Sequence, residues 1–166
     1  MTAESPQQEP LVQLAGLEDL REHSTRMAQL AQRQLRIFSA QLDPQIYEQA
    51  PFVDALSAFA RRSRYTDIQL LIKDTRPLIE RAHKLRQLAM RLPSHIAIRR
   101  LGIEPEDKDM SILLVDTNKI LYRADESDYK GFANYAAGPE VRHYGEIFTR
   151  LWQQSAPDPE LRQFSL

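Results

Sequence analysis

Hydrophobic residues recur along the chain at two spacings, one typical of amphipathic helices and the other of strands. Apolar or small residues at every third or fourth position predict a helix over residues 17–33. Branched and aromatic side chains over residues 35–40 predict a strand that ends in the turn at 41–44. Pro51 is well placed to open the next helix, whose buried stripe is predicted to be Phe52, Leu56 and Phe59.

The middle of the chain repeats this alternation. Residues 67–72 predict a second strand, and Thr75 is a candidate cap for a helix that runs to Pro93. His83 and Lys84 fall in the middle of that helix, where we expect them to be partly exposed. Residues 95–98 predict a third strand. Its neighbours in sequence, Arg99 and Arg100, then follow the strand.

The last third predicts a hairpin, a loop and a helix. Residues 111–115 and 120–122 are two short strands, and Asn118 tolerates the positive φ that a tight turn needs. A loop is expected from about residue 125 to 138. Pro139 then opens a final helix with one apolar face.

The order of these elements determines the fold class. Strands separated by helices of 12–17 residues require right-handed crossovers, so the core sheet should be parallel. The hairpin adds antiparallel strands beside it. We therefore predict an α/β fold: a three-layer mixed sheet with a parallel core, helical crossovers and a C-terminal hairpin. A single domain over residues 11–155 is expected, with a disordered tail over 1–10 and a C-terminal tail over 156–166.

Composition places the chain among ordinary globular proteins and favours the cytoplasm. Hydrophobic residues make up 42% of the 166 residues and charged residues 27%, and there is no cysteine. Disulfide frameworks, thiolate metal sites and cysteine nucleophiles are thereby excluded. The N-terminus shows no secretory signal, and the longest apolar run, Ile112–Val115, is far too short to span a bilayer.

Charge is distributed unevenly although the net charge is only −1. Residues 61–100 carry 11 basic and 3 acidic side chains, while residues 1–60 carry 4 basic and 8 acidic ones. Either an anionic ligand or partner protein binds this basic segment, or it is a solvated rim. Ligands of open α/β sheets gather beyond the carboxyl ends of the strands. Candidate ligand-binding residues near those ends are Ser39, Gln41, Lys73, Arg99 and Arg100. The near-neutral charge argues against dedicated nucleic-acid binding.

Several cofactor and metal sites are excluded by spacing. The five glycines are at least seven residues apart, so no phosphate-binding glycine loop is present. The four histidines never occur at helical i, i+4 spacing. An acidic stretch ends at Asp109 but lacks the glycine and pattern of a calcium loop. We expect no metal site and no cofactor.

The order of elements resembles a single copy of the phospholipase D-like domain over about residues 17–155. That superfamily carries a signature on the hairpin: His-x-Lys, four residues, Asp, then six residues and Gly-Ser-x-Asn. If Asp116 is aligned with the signature aspartate, Asp109 stands at the His position and Ser111 at the Lys position. The Gly, Ser and Asn positions then hold Arg123, Ala124 and Glu126. The chain is also similar to an uncharacterised family of bacterial domains, some of them found beside GNAT-type acetyltransferase domains.

The resemblance implies a domain whose signature is degenerate. In phospholipase D-like enzymes a histidine attacks phosphorus and lysines hold the phosphoryl oxygens, so an aspartate at the first position cannot do the same work. We expect a non-catalytic module with a binding, regulatory or dimerisation role, since single-copy members pair as homodimers. The alternative is an enzyme of unknown reaction, acting on phosphodiester or acyl groups, with the 125–138 loop as a lid over Asp109, Ser111 and Asp116.

Overall fold

The computed structural model describes residues 10–105 and 109–162. This part of the chain forms eight strands and six helices, followed by one turn of 3-10 helix. In chain order they are β1 (Leu11–Ala15), α1 (Leu17–Leu30), β2 (Gln34–Ser39), α2 (Pro44–Tyr47), α3 (Ala50–Arg62), β3 (Asp67–Ile72), α4 (Arg76–Glu80), α5 (Lys84–Arg91), β4 (Ile96–Leu101), β5 (Ser111–Val115), β6 (Lys119–Arg123), β7 (Lys130–Asn134), α6 (Gly138–Gln153), β8 (Ser155–Pro157) and the 3-10 turn Pro159–Arg162.

All eight strands belong to one mixed sheet, in the order β1-β7-β6-β5-β2-β3-β4-β8. The three strands β2, β3 and β4 pair in parallel, with Ile37 opposite Leu70 and Leu70 opposite Ile98. The hairpin β5–β6 joins antiparallel to β2 through β5. The predicted fold class is therefore confirmed: a parallel core with helical crossovers and an antiparallel hairpin beside it.

Two apolar cores lie on the two faces of the sheet and make the fold three-layered. On one face, alternate residues of the central strands, such as Leu35 and Ile37, pack with residues of α1, α3 and α5. On the other face, Phe38 and its neighbours pack against Val141 and Phe148 of α6. The sheet is thus covered on both sides, as parallel strands require. Within the described ranges, no helix combines the length and apolar character needed to cross a membrane.

The predicted loop from 125 to 138 is wrong in its centre. Residues 130–134 form β7, which pairs antiparallel with β6 on one side and with β1 on the other. Gly131 permits this pairing, because a Cβ atom there would clash with the carbonyl oxygen of Tyr122 on β6. Strand β1 was also not predicted from the sequence. Together β7 and β1 extend the sheet by two strands beyond the hairpin.

The helix predicted from Thr75 to Pro93 is instead two helices. Ala82 adopts a positive φ of 49° between α4 and α5, which ends the first helix and redirects the chain. His83 then becomes the N-cap of α5, and its side chain accepts a hydrogen bond from the backbone of Leu85. It is only 2% exposed. The expectation of a partly exposed, mid-helix His83 is therefore wrong.

The C-terminal segment also departs from the predicted tail. Residues 155–157 form β8 against the edge of β4, and Leu161 in the following 3-10 turn is buried. The hydroxyl of Thr75, a predicted helix cap, donates instead to the carboxylate of Asp158 across 2.7 Å. Strand β4 extends to Leu101, so Arg99 and Arg100 lie within it rather than after it.

Candidate functional site

Asp116 holds the beginning of the hairpin turn to the start of β2. Its carboxylate accepts hydrogen bonds from the backbone amides of Gln32, Arg33 and Gln34, with the shortest, to Arg33, at 2.8 Å. Its own backbone has a positive φ of 53°, the conformation predicted for Asn118. A carboxylate that satisfies three backbone donors is structural, because it ties two chain segments together and leaves few lone pairs for a ligand.

Ser111 lies at the other end of β5 from Asp116. It is 1% exposed, and its hydroxyl donates to the carbonyl oxygen of Phe38 across 3.2 Å. Asp109 is exposed, and its carbonyl oxygen accepts from the amide of Glu126. Since β5 separates Ser111 from Asp116 by five residues, the two are roughly 16 Å apart along the strand. The structure therefore does not bring Ser111 and Asp116 together in one site.

A buried arginine occupies the end of the hairpin beside Ser111. The Arg123 side chain is 1% exposed and donates to the carbonyl oxygens of Glu126 and Asp128, across 2.8 and 2.6 Å. The centre of its guanidinium lies 5.5 Å from the centroid of the Tyr129 ring. Its Nε is buried without a hydrogen-bond partner among the described residues. Arg123 thus fills the interior at this end of the sheet and organises the turn that follows β6.

Glu126 faces Arg123 and joins this turn to the end of β2. Its carboxylate accepts from the amide of Ala40 at 2.8 Å and from the hydroxyl of Ser39 at 3.4 Å. Burial raises the pKa of Glu126, while the Ala40 amide and the charge of Arg123 oppose that shift. Burial likewise raises the pKa of the fully enclosed Tyr47 phenol, so it stays neutral. We call Ser39, Tyr47, Ser111, Arg123 and Glu126 the Arg123 cluster.

A small pocket opens next to the Arg123 cluster, beyond the carboxyl ends of β2 and β3. Its volume is about 250 Å³. We call it the His83 pocket, and its lining residues are Ala40, Gln41, Asp43, Pro44, Glu48, Pro77, Arg81, His83 and Glu126. Three of these nine side chains are carboxylates. The pocket therefore presents mainly hydrogen-bond acceptors to a ligand.

His83 is fixed in the wall of this pocket by hydrogen bonds to both ring nitrogens. Nδ1 accepts from the amide of Leu85 at 3.1 Å, so the neutral ring carries its proton on Nε2 and donates to the carbonyl oxygen of Leu42 at 3.0 Å. The Glu48 carboxylate lies 3.6 Å from the same Nε2. Burial lowers the pKa of His83, and the charge of Glu48 opposes this shift.

Backbone strain concentrates around the same histidine. Leu42, whose carbonyl oxygen accepts from His83, has a positive φ of 57°, and Ala82, the residue before His83, has one of 49°. Side chains with a Cβ adopt such values at a cost of about 1 kcal/mol or more. The amide of Leu42 is held by the Ser39 hydroxyl at 2.9 Å. Strain of this kind persists where the surrounding contacts over-determine the backbone, and it clusters at functional sites.

The predicted strand-end residues fall into two groups. Ser39, Gln41 and Lys73 lie together, since the amide of Lys73 donates to the carbonyl of Ser39 and Gln41 lines the His83 pocket. The Lys73 amine and Arg99 lie on the Phe38 face of the sheet: the amine is 5.7 Å from the centroid of the Phe38 ring, and the Arg99 guanidinium stacks over Trp152 at 4.7 Å and donates to the Trp152 carbonyl. Arg100 is exposed near Asp74, whose carboxylate also pairs with Arg76. The structure does not gather these basic residues into one anion site.

The segment that follows β6 contributes hydrogen bonds in place of a lid. The Tyr129 hydroxyl donates to the carboxylate of Asp43 at 2.9 Å, which links this segment to the start of α2. The Tyr135 hydroxyl lies 2.7 Å from Nδ1 of His23 on α1.

Over residues 10–105 and 109–162, no group of three or more histidine, aspartate or glutamate side chains is placed to hold a metal ion.

Sequence reasoning missed the two groups that dominate this end of the fold. The sequence marks Arg123 and Glu126 only as positions in the signature alignment, and it predicts His83 to be a partly exposed helix residue. The sequence does carry one signal for Arg123: it stands two residues after Leu121 on a strand, and alternation puts both side chains on the same buried face. No comparable signal marks His83, since its burial depends on the break at Ala82.

Comparisons with known proteins agree with the fold. The family model described as Domain of unknown function (DUF7931) matches residues 16–164. No curated protein matches the chain. Two solved structures share the fold over most of both chains. The phospholipase D family member Nuc from Salmonella typhimurium has 13% identity and a TM-score of 0.59, over 83% of this chain and 90% of Nuc. NucT from Helicobacter pylori has 9% identity and a TM-score of 0.63, over 89% of this chain and 97% of NucT.

A third solved structure is that of TrmBL2, an archaeal chromatin protein described as showing a novel mode of DNA binding. It has 15% identity and a TM-score of 0.68, over 93% of this chain. This chain spans only 57% of the length of TrmBL2. All three identities are low, so the likeness establishes a phospholipase D-like fold and nothing about chemistry.

Proposed function

We propose a function for this chain on the premise that it belongs to the family described as Domain of unknown function (DUF7931). The chain is a phospholipase D-like module that binds a ligand and does not hydrolyse phosphodiesters. The observation that carries this proposal is the state of the Arg123 cluster. At this end of the hairpin Ser111, Arg123 and Glu126, which stand at the signature lysine, glycine and asparagine positions, are engaged in internal hydrogen bonds.

The groups at the aligned positions support the absence of phosphodiesterase chemistry. Asp109 and Glu126 replace the signature histidine and asparagine, and Ser111 replaces the lysine. Two like charges about 4 Å apart repel by roughly 4 kcal/mol at an effective dielectric near 20, so carboxylates at these positions would oppose an anionic substrate. Burial of Ser111 and its bond to Phe38 leave the hydroxyl without access to a substrate phosphorus.

The His83 pocket supports the binding part of the proposal. It lies where ligands of open α/β sheets gather, beyond the carboxyl ends of parallel strands. Leu42 and Ala82 hold strained backbone conformations beside it, and His83 is fixed in one orientation by two hydrogen bonds. A volume of about 250 Å³ suits a small molecule rather than a macromolecule.

The lining of the pocket indicates the chemistry of its ligand. The carboxylates of Asp43, Glu48 and Glu126 outnumber the one cation, Arg81, at the exposed rim. Asp43 and Glu126 already accept protein hydrogen bonds, which leaves Glu48 as the acceptor with most free capacity. The pocket therefore suits a small uncharged or cationic molecule that donates hydrogen bonds through hydroxyl or amino groups.

Thermal unfolding in the presence of a panel of monosaccharides and small aliphatic amines tests this proposal. A compound that binds the pocket at one hundred times its dissociation constant should stabilise the fold by about 2.7 kcal/mol. Glu48→Gln should abolish the stabilisation, whereas Asp54→Asn, on the exposed surface of α3, should leave it unchanged. Stabilisation by no compound of the panel, or equal stabilisation of the Glu48→Gln variant, would contradict the assigned ligand class.

A further inference from the structure

A second, larger groove lies on the opposite face of the sheet and at the opposite end of β2 from the Arg123 cluster. It runs between the start of β2, the hairpin turn and α6, with a volume of about 850 Å³. We call it the Arg36 groove. Its lining residues are Gln34, Arg36, Asp116, Thr117, Asn118, Gly138, Val141, Arg142, Gly145, Glu146, Thr149 and Arg150.

Arg36 is a half-buried cation at the floor of this groove. Its Nε is buried and has no hydrogen-bond partner within the described part of the chain. The guanidinium lies over the Phe148 ring, 5.7 Å from its centroid. Burial lowers the pKa of Arg36, and the charge of Asp67 opposes that shift. An arginine remains protonated even so, which leaves a charged group here with unused hydrogen-bonding capacity.

Gly145 makes room for this guanidinium in the middle of α6. A Cβ atom at residue 145 would lie 3.1 Å from Nη1 and 3.2 Å from Nη2 of Arg36, tighter than an ordinary van der Waals contact. Glycine inside a helix costs about 1 kcal/mol relative to alanine. The helix accepts that cost at the one turn where the arginine rests against it. The arrangement is therefore a cradle for the Arg36 guanidinium.

The charges around the cradle favour an anion. Arg142 and Arg150 lie on the same side of α6, eight residues apart, with Glu146 between them. The carboxylate of Asp116 is committed to three backbone amides. Asp67, whose charge acts on Arg36 from β3, accepts a hydrogen bond from the side-chain amide of Gln34 at 3.1 Å. Two carboxylates line the groove, and the Asp116 one is used in holding the backbone. Three arginines therefore face a single carboxylate, that of Glu146, whose charge is not already engaged by backbone amides of the described residues.

We propose that the Arg36 groove binds a phosphate group through Arg36, Arg142 and Arg150. Guanidinium groups match the geometry of phosphate oxygens, and the hydroxyl of Thr149 and the amide of Asn118 add neutral donors to the lining. This site goes beyond the function proposed above. It lies away from the His83 pocket and from every aligned signature position except Asp116, whose carboxylate is structural.

Titration with inorganic phosphate, at ionic strength held constant with chloride, tests the groove. Amide resonances of Asn118 and Gly145 should shift with a dissociation constant on the order of 1 mM, typical of a weak small-ion site. Arg36→Gln should weaken binding at least tenfold, and Arg150→Gln several-fold. Arg64→Gln is the matched control, since Arg64 is exposed, stacks on Tyr65 and does not line this groove. It should change nothing.

If Arg36→Gln does not fold, the variant Gly145→Ala still tests the proposal. Gly145→Ala retains every charge but crowds the guanidinium, so phosphate binding should weaken while the net charge is unchanged. Absence of shifts at the groove up to about 50 mM phosphate, far above a millimolar constant, would overturn the proposal. Equal phosphate binding by the wild-type protein and all three groove variants would overturn it too.

A short DNA duplex distinguishes the two sources of such a phosphate. Competition by the duplex for the same resonances, falling steeply as salt rises, would assign the phosphate to a nucleic-acid backbone. Phosphate binding without competition by the duplex would assign it to a free or small-molecule phosphate. Either result is independent of the proposed function, because phosphodiester turnover would overturn that proposal while leaving the groove intact.

Discussion

The carboxylate of Glu126 accepts a hydrogen bond from the backbone amide of Ala40, with 2.8 Å between Oε1 and the nitrogen. This contact joins the turn after β6 to the residue that follows β2. In the phospholipase D-like alignment Glu126 stands at the signature asparagine. A position that belongs to the catalytic signature of that superfamily therefore makes a structural hydrogen bond in this chain. Ser39, Ser111 and Arg123 of the same cluster are likewise engaged in internal hydrogen bonds.

Glu126 should make the stability of the protein depend on pH. Its folded-state pKa is raised by burial above the ordinary value of 4.5. The folded protein therefore binds a proton more readily than the unfolded chain, and this stabilisation is present below pH 4.5 and lost as pH rises through the folded pKa. Glu126→Gln should flatten that part of the profile. Urea unfolding of both proteins between pH 4.5 and 7 measures the difference, and parallel profiles would refute the prediction.

His83 should make stability depend on pH in the opposite direction. Burial holds its folded-state pKa below the ordinary 6.5, so the neutral ring is the form that the fold accepts. Its contribution is present above pH 6.5 and is lost as pH falls toward the lowered pKa, because the unfolded chain then binds the proton more readily. Thermal unfolding of wild-type protein and His83→Gln from pH 7.5 downward should show this loss in the wild type alone. His143→Gln, on the exposed side of α6, is the control.

Asp116 should matter for stability. Asp116→Ala removes the acceptor of three backbone amides and places alanine at a φ of 53°, so unfolding free energy should fall by about 2–4 kcal/mol. Asp116→Asn keeps one oxygen and tolerates that φ, so its loss should be smaller. Asp109→Ala, at an exposed residue, should change stability by less than about 0.5 kcal/mol. Equal losses of unfolding free energy in Asp109→Ala and Asp116→Ala would contradict the structural role assigned to Asp116.

Arg123 should be the costliest residue of its cluster to replace. Arg123→Met keeps much of the buried volume but leaves the carbonyl oxygens of Glu126 and Asp128 without their donor. We expect a loss of about 2–4 kcal/mol in unfolding free energy, typical of breaking a buried hydrogen-bonded group. Denaturant titration measures it. A variant as stable as the wild type would show that the guanidinium is dispensable.

The parallel core was predictable because its signals are local. The bounds predicted for β3, residues 67–72, match the structure, and the predicted stripe of Phe52, Leu56 and Phe59 is buried. In each case the spacing of apolar residues reflects the face that the element buries. The hairpin could be predicted from two apolar runs and the polar residues between them.

The edges of the sheet were not predictable in the same way. Residues 130–134 contain a lysine, a glycine and an asparagine, and no alternation marks them as a strand. They form β7 because β6 and β1 provide partners on both sides, and those partners are distant in sequence. The break at Ala82 is hidden for a similar reason: Leu78, Ala82 and Leu85 keep helical spacing across it.

In the candidate site, too, the sequence identifies the residues but not the surroundings of their side chains. The signature alignment located Ser111 and Asp116, yet the direction of each side chain depends on partners from β2 and from the turn before it. An arginine at a hairpin end would ordinarily be solvated. Only the closure of the turn at 126–128 over Arg123 makes it an interior residue.

The most direct test of the account is an assay of metal-free hydrolysis of bis(4-nitrophenyl) phosphate by the purified protein. We predict no release of nitrophenol above the buffer rate, because the charges of Asp109 and Glu126 oppose an anionic substrate and Ser111 is buried. Turnover that disappears in Ser111→Ala or Glu126→Gln, with a phosphorylated protein trapped during the reaction, would contradict it.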